Sequence, residues 1–389
     1  MKDYFAGLSK PGATIIFVAF ISLSTCMVGL SQSQTEEAVA ALEGLDPVML
    51  VQGKEVQGSL KITVTRGGFQ YFFANEEDKA TFEKEPAHYE IQLNGMCARM
   101  GAPVTGNPDL YTVHKGRIYI FGSGECKKRF EAAPEKFLED EIPMKPNSPS
   151  SAEALKKGQD LIEKAVKAMG SPAIIDSLNN YQEKSLSLQR RHEGEVEVKT
   201  NLTILFPDRV RADQVMPDFA NPSVTREVAI VITATDAFAI TREGSRPMPG
   251  ASREVQHQEL NRRPLAILRA RRRANFKATA IGTANVGETA VERVEIDIDG
   301  VVHTLGIDPT TGRILSLSYR RRGPVGEFGQ VVKVFSDFRA VNGVTLPFKV
   351  TASFNGEPWI EQSATIESIT INGKIDAALF ERSKQGKVD

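Results

Sequence analysis

Two cysteines, Cys97 and Cys126, are the residues of this chain whose type and spacing most directly offer chemistry. Three readings of them stay open. As an even pair in an oxidising compartment they would form a disulfide, and a bridge closing a loop of about 30 residues contributes about 3–4 kcal/mol through the unfolded state. As thiolates with Met96, Met100, His88 or His114 nearby they would make a soft ligand set, suited to copper(I) or zinc rather than calcium or magnesium. As two small apolar side chains they would pack inertly in a core. Cys126 follows Gly124 at a predicted helix start, where the helix dipole lowers a thiol's pKa, although neither a Cys-x-x-Cys spacing nor an activating base accompanies it.

The other polar residues offer less. His88, His114, His192, His257 and His303 are scattered singly, and Asp297 and Asp299 share a strand face as any alternating strand would place them. No Gly-x-Ser-x-Gly elbow, His-Glu-x-x-His helix, phosphate loop or Gly-rich dinucleotide turn occurs in a fitting context. The expectation is therefore a binding protein without catalysis. Arg262, Arg263, Arg269, Arg271, Arg272 and Arg273 form one basic cluster, and Arg320, Arg321 and Arg322 a second. Near an anionic membrane surface each would contribute about 1 kcal/mol, but a solvated helix face and strand end is the plainer expectation. The segment from Pro264 to Leu268 reads as a short amphipathic helix that would also serve as a lid over a pocket.

Elements that could position these groups follow from periodicity. From Ala152 to Met169 the apolar residues Leu155, Leu161, Ile162, Ala165, Val166 and Met169 recur near a 3.6-residue period. Ser151 caps this predicted helix, and Gly170 and Pro172 stop it. Beyond Leu178 the pattern becomes strand-like, with turn chemistry at Asp308–Gly312, Asn342-Gly343, Asn355-Gly356 and Asn372-Gly373. The fold class expected is α+β: a small α+β module, then a mainly antiparallel half-barrel with covering helices. Such a half-barrel encloses an apolar pocket when its inward rows are not filled by core. The inward candidates are Val196, Val198, Leu202, Ile204, Val294, Ile296, Ile298, Val350 and Ile366, a set that would serve equally as ordinary core.

Composition bounds these readings. At 389 residues the chain suffices for two or three domains, and 48 Lys+Arg against 49 Asp+Glu gives a net charge of -1, which argues against nucleic-acid binding. Lys2 and Lys10 precede a charge-free apolar run from Ala13 to Leu30, and Gly29, Ser31 and Ser33 offer cleavage sites. Residues 1–33 thus read as an export signal. The alternatives are an uncleaved anchor and a lipoprotein signal around Leu23-Ser24-Thr25-Cys26. Either way the expected location is periplasmic or envelope-associated. Three prolines and three serines within 142–151 mark a linker over 141–151, dividing a domain at 44–140 from one at 152–383.

Two resemblances add to this. Asp46-Pro47-Val48, Gly67-Gly68-Phe69-Gln70-Tyr71-Phe72-Phe73, Phe82, Pro86 and Tyr89, followed by Asn94-Gly95-Met96-Cys97-Ala98, resemble the YHS family in its exported Gly-x-Cys-Ala subtype. Where metal-type YHS modules carry cysteines this chain has Met49 and Ala74, so that resemblance does not bring their thiolate pair. A second, degenerate copy runs through Tyr119-Ile120-Phe121, Cys126, Phe130, Pro134 and Phe137. Phe206-Pro207-Asp208-Arg209-Val210-Arg211, Ile307–Gly312 and Phe335–Pro347 look like the LolA/LolB-type lipoprotein-localisation superfamily. That resemblance implies an exported carrier holding an apolar small molecule, a lipid or a lipoprotein acyl chain, with a membrane surface as a further partner. The alternative is an extracytoplasmic metal-handling protein using the first module.

Overall fold

The computed structural model describes residues 38–101, 104–138, 150–191, 194–218, 223–242, 244–248, 250–323 and 326–382. The expected export signal and most of the expected linker lie outside these residues.

The N-terminal region consists of two successive hairpin-and-helix units. In the first, β1 (Val39–Ala40), α1 (Pro47–Val51), β2 (Ser59–Arg66), β3 (Phe69–Phe73), α2 (Glu76–Lys84) and α3 (Pro86–Tyr89) follow in order. In the second come β4 (Asn107–His114), β5 (Arg117–Phe121), α4 (Gly124–Ala132) and α5 (Glu135–Leu138). Aromatic residues on each hairpin drive the packing: Phe82 lies 4.9 Å from Tyr71 and 5.2 Å from Phe73, and Phe130 lies 5.0 Å from Phe121. Asp46 caps α1 by accepting from the amides of Val48 and Met49, and its second oxygen takes the Ala74 amide at 2.7 Å. Met49 and Ala74, distant in sequence, are thereby held on one carboxylate.

Next come α6 (Ala152–Met169), α7 (Pro172–Asp176) and a run of strands: β6 (Asn180–Arg191), β7 (Gly194–Leu205), β8 (Arg209–Pro217), β9 (Thr225–Ile232), β10 (Ala237–Thr241) and β11 (Gly244–Pro247). Helices α8 (Gly250–Asn261) and α9 (Pro264–Ala270) then interrupt the strands. After them run β12 (Lys277–Val286), β13 (Thr289–Ile298), β14 (Val301–Ile307), β15 (Ile314–Arg322), β16 (Phe328–Val341), β17 (Val344–Phe354), β18 (Glu357–Pro358) and β19 (Ala364–Ile371).

These strands form one 14-stranded sheet in the order β11-β10-β9-β8-β7-β6-β19-β17-β16-β15-β14-β13-β12, with β18 on β17. The sheet is antiparallel and open, its end strands β11 and β12 unpaired with one another among the described residues. Asn342-Gly343 and Asn355-Gly356 both have positive φ at each residue, the type I′ geometry that suits the right-handed twist of tight hairpins. In mid-sheet, β17 meets β19 only at Lys349–Thr365 and Val350–Ala364.

The main core lies between the sheet and α6, whose buried face is Leu161, Ile162, Ala165, Val166 and Met169. Ser151 Oγ caps the helix by accepting the Ala154 amide at 3.1 Å. At Gly158 the helix lies against β12 so closely that a Cβ would collide with the Ala278 carbonyl.

Candidate functional site

A cavity of about 390 Å³ lies between the sheet and the α8–α9 pair, within the range of small-molecule sites. Its apolar wall comes from Leu202 and Ile204 on β7, Phe206, Val210 on β8, Phe335 on β16, Val350 on β17 and Ile366 on β19. Leu260, Pro264, Leu265 and Ala266 contribute from the helices. The thin β17–β19 junction is part of the wall, since Val350 and Ala364 both line it.

Of the inward residues read from sequence, Leu202, Ile204, Val350 and Ile366 line this cavity. Val294, Ile296 and Ile298 do not. All three are fully buried in the core cluster that contains Leu161, Ile162, Ala165 and Val166, because α6 covers the β12–β13 end of the sheet and fills the space above them. Val196 and Val198 also lie outside the lining. They continue the β7 row toward the β6–β7 turn, where Val196 pairs with Gln189.

The polar side of the cavity centres on Glu259 of α8. Its Oε1 accepts from Arg262 Nη1 at 2.8 Å and Arg321 Nη1 at 2.9 Å, while Oε2 lies 3.5 Å from Lys333 Nζ and 3.3 Å from the Tyr319 hydroxyl. Burial opposes ionisation of Glu259, but Lys333, Arg321 and Arg262 outweigh it and hold the carboxyl well below the usual carboxylate range. A carboxylate so stabilised is a weak base. The Arg262 guanidinium sits 4.1 Å over the Tyr319 ring, its side chain 4% exposed, and its Nε has no hydrogen-bond partner. At the other end of the site Arg263 lies 3.6 Å from Glu183, which accepts from the Tyr181 hydroxyl at 2.6 Å.

The arginines read as a solvated face need correction. Arg262, Arg271 and Arg322 are buried, because the Tyr319 ring covers Arg262 and acids and carbonyls distant in sequence reach Arg271 and Arg322. Arg271 pairs with Asp176 at 2.7 Å, and Arg322 donates to the main-chain carbonyls of Arg99 and Gly326 at 3.1 and 3.0 Å and to that of Phe137. Arg321, one residue before, faces the cavity. Sequence reading also missed Glu259, Lys333 and Phe335, since nothing local sets them apart from other residues on an amphipathic helix or an alternating strand.

Cys97 and Cys126 are free thiols, both buried in the core of the second hairpin unit. Of the side chains proposed to join them, His114 Nε2 lies 3.0 Å from Glu135 and His88 packs edge-on against Tyr89, whereas Met100 packs against the same cluster and its Sδ accepts from Arg99 at 3.2 Å. Among the described residues no group of three or more His, Cys, Asp or Glu could hold a metal ion. Among them too, no helix is long and apolar enough to cross a membrane.

No family model and no curated protein matches the chain. Solved structures do. A putative outer-membrane lipoprotein-sorting protein domain from Vibrio parahaemolyticus matches at 7% identity and TM-score 0.35, covering 58% of this chain and 97% of that one. A DUF1329-family protein from Desulfovibrio piger matches at 15% identity and TM-score 0.37, covering 59% and 97%. A LolA-superfamily protein from Nitrosomonas europaea matches at 11% identity and TM-score 0.38, covering 58% and 97%. At TM-scores under 0.5 none of them transfers a ligand or partner to this chain.

Proposed function

We propose that the chain is an exported, non-catalytic carrier or sensor of an amphiphile, held in the sheet region with its apolar chain along Leu202, Ile204, Phe335, Val350 and Ile366. The anionic head of the ligand faces Arg262, Arg263, Arg321 and Lys333. In this reading residues 152–383 hold the ligand and residues 44–140 provide a surface for a partner. The sequence resemblance to lipoprotein-localisation carriers points the same way, whereas no group of three or more His, Cys, Asp or Glu stands behind the metal-handling alternative among the described residues.

The observation that carries this reading is that one lining holds both an apolar row, Leu202, Ile204, Phe335, Val350 and Ile366, flanked on the strands by Glu183, Ser185, Thr200 and Gln214, and a cationic group where α8 meets β15 and β16. Apolar surface alone would accept any hydrocarbon, at about 25 cal/mol per Å² removed from water. Arg263, whose side chain is 42% exposed, and the long Lys333–Glu259 pair leave donors for an incoming carboxylate or phosphate. Fluorescence titration with a polyene fatty acid and with its methyl ester tests both levels. Preference for the acid by about tenfold or more is expected, as one charge-assisted hydrogen bond supplies that much. Equal binding would remove the anionic head and leave the apolar reading; binding of neither would remove both.

A further inference from the structure

The two thiols of the second hairpin unit lie outside the cavity and have no part in the function proposed for it. Cys97 is fully buried beside β5, bridged to Ile120, with its amide donating to the Val104 carbonyl at 2.8 Å. Cys126 is the third residue of α4, where its amide donates to the capping Ser123 Oγ at 3.2 Å, and it is 8% exposed. Both side chains belong to one small core cluster, packed with Tyr119, Phe121, Phe130 and Phe137. A cation faces them from a third direction: Arg99 Nη1 lies 3.7 Å from Cys126 Sγ, and the buried Nε of Arg99 has no hydrogen-bond partner.

A half-buried guanidinium set against a sulfur, with one buried donor unsatisfied, favours negative charge on that sulfur. The surroundings divide the thiols into two roles. Burial pushes the Cys97 thiol up and so keeps it protonated. Burial also opposes ionisation at Cys126, but hydrogen bonds from Ser123, Arg99 and Cys97 and the charge of Arg99 prevail, leaving that thiol below its ordinary value. Cys126, which has some exposure, is thus the nucleophile, and Cys97, which has none, is the group behind it.

We propose that Cys97 and Cys126 are a redox-active dithiol that exchanges with small-molecule disulfides, with Cys126 attacking and Cys97 resolving. The Cys126 thiolate attacks one sulfur of a glutathione-type disulfide, the S–S bond breaks, and one thiolate leaves and takes up a proton. Cys97 then loses its proton and attacks Cys126 Sγ, releasing the second small thiol. In sum the protein dithiol and one disulfide become a protein disulfide and two thiols, the protein losing two hydrogens and two electrons pass to the small disulfide. Because Arg99 and Ser123 stabilise the reduced form, the couple is more oxidising than that of a structural disulfide and reopens readily.

The test uses the full chain carrying Cys26→Ser, so that only these two thiols titrate. The folded protein is equilibrated in glutathione buffers of graded ratio, acid-quenched and weighed intact. Expected is a reversible two-hydrogen loss within the buffered range, and with Cys97→Ser a trapped adduct of one glutathione on Cys126. Cys126→Ser should give no adduct on the same timescale. Arg99→Met should slow reaction of Cys126 at neutral pH about tenfold and move its pH–rate profile upward, with Arg99→Lys restoring part of both. A disulfide that no buffer reduces in the folded protein would overturn the proposal. So would two thiols unreactive until unfolding, or first reaction at Cys97, and these readouts need no variant to fold.

Discussion

Arg262 Nη1 donates to Glu259 Oε1 at 2.8 Å, and the same guanidinium lies 4.1 Å over the Tyr319 ring. One helix-end residue thereby joins the α8 carboxylate to β15, and Arg321 and Lys333 close on the same carboxylate from the sheet. Glu259→Gln keeps the shape and removes the charge, leaving cations without their shared counter-ion. The expected loss is about 2–4 kcal/mol in urea unfolding at pH 7, discounted for the partial exposure of Glu259. The folded-state pKa is depressed, so this stability is present above the unfolded value of about 4.3 and is lost as pH falls below it. In Glu259→Gln that acid-side loss should shrink.

His303 on β14 is fully buried, and neither ring nitrogen has a hydrogen-bond partner. Burial, then the nearby Arg262, lowers its pKa to about 3. The unfolded chain therefore takes up the proton first, at about pH 6.5, and stability falls from there toward pH 3. His303→Leu should be neutral or stabilising at pH 7 and should remove about 2 kcal/mol of the loss between pH 6 and pH 4. Thermal melts across that range distinguish the two proteins.

Gly158→Ala should destabilise despite alanine's helix propensity, which favours it by about 1 kcal/mol. Its Cβ would meet the Ala278 carbonyl on β12 and push α6 away from the sheet. A net loss of about 1–3 kcal/mol by circular dichroism is expected. A neutral or stabilising result would mean that α6 does not approach β12 so closely.

Arg322 ties the sheet to the N-terminal region through the carbonyls of Arg99 and Phe137. Arg322→Lys cannot reproduce a fork serving three carbonyls, so it should behave much as Arg322→Ala does. Both should speed amide hydrogen exchange at Cys97–Gly101 and α5 while leaving α6 protected. Uniform acceleration across the chain would instead report global destabilisation.

Local signals in the sequence carried a good deal of the fold. The helix expected over Ala152–Met169 has those bounds, since Ser151 and Gly170 end it chemically. The Asn-Gly hairpins at 342–343 and 355–356 form where expected. The site was less legible because strand alternation gives a face but not what covers it. Leu202 and Val294 look alike in sequence; the first meets a cavity under α8–α9, and the second meets α6. The arginines misled for the same reason. Arg262 and Arg322 are buried because the Tyr319 ring and the Arg99 and Phe137 carbonyls come to them, and those encounters depend on tertiary packing.

Ala212 and Ala364 line the cavity from β8 and β19, so Ala212→Phe or Ala364→Phe fills it from the wall rather than from the core behind. Native mass spectrometry of the protein purified from the cell in which it is exported, beside Ala212→Phe, tests the central claim most directly. The cavity reading predicts an acyl-bearing, anionic molecule that co-purifies with the natural sequence, leaves on denaturation, and is reduced at least tenfold in the folded variant. A bare natural protein that also fails to take up added fatty acid, or equal loading of the variant, would contradict it.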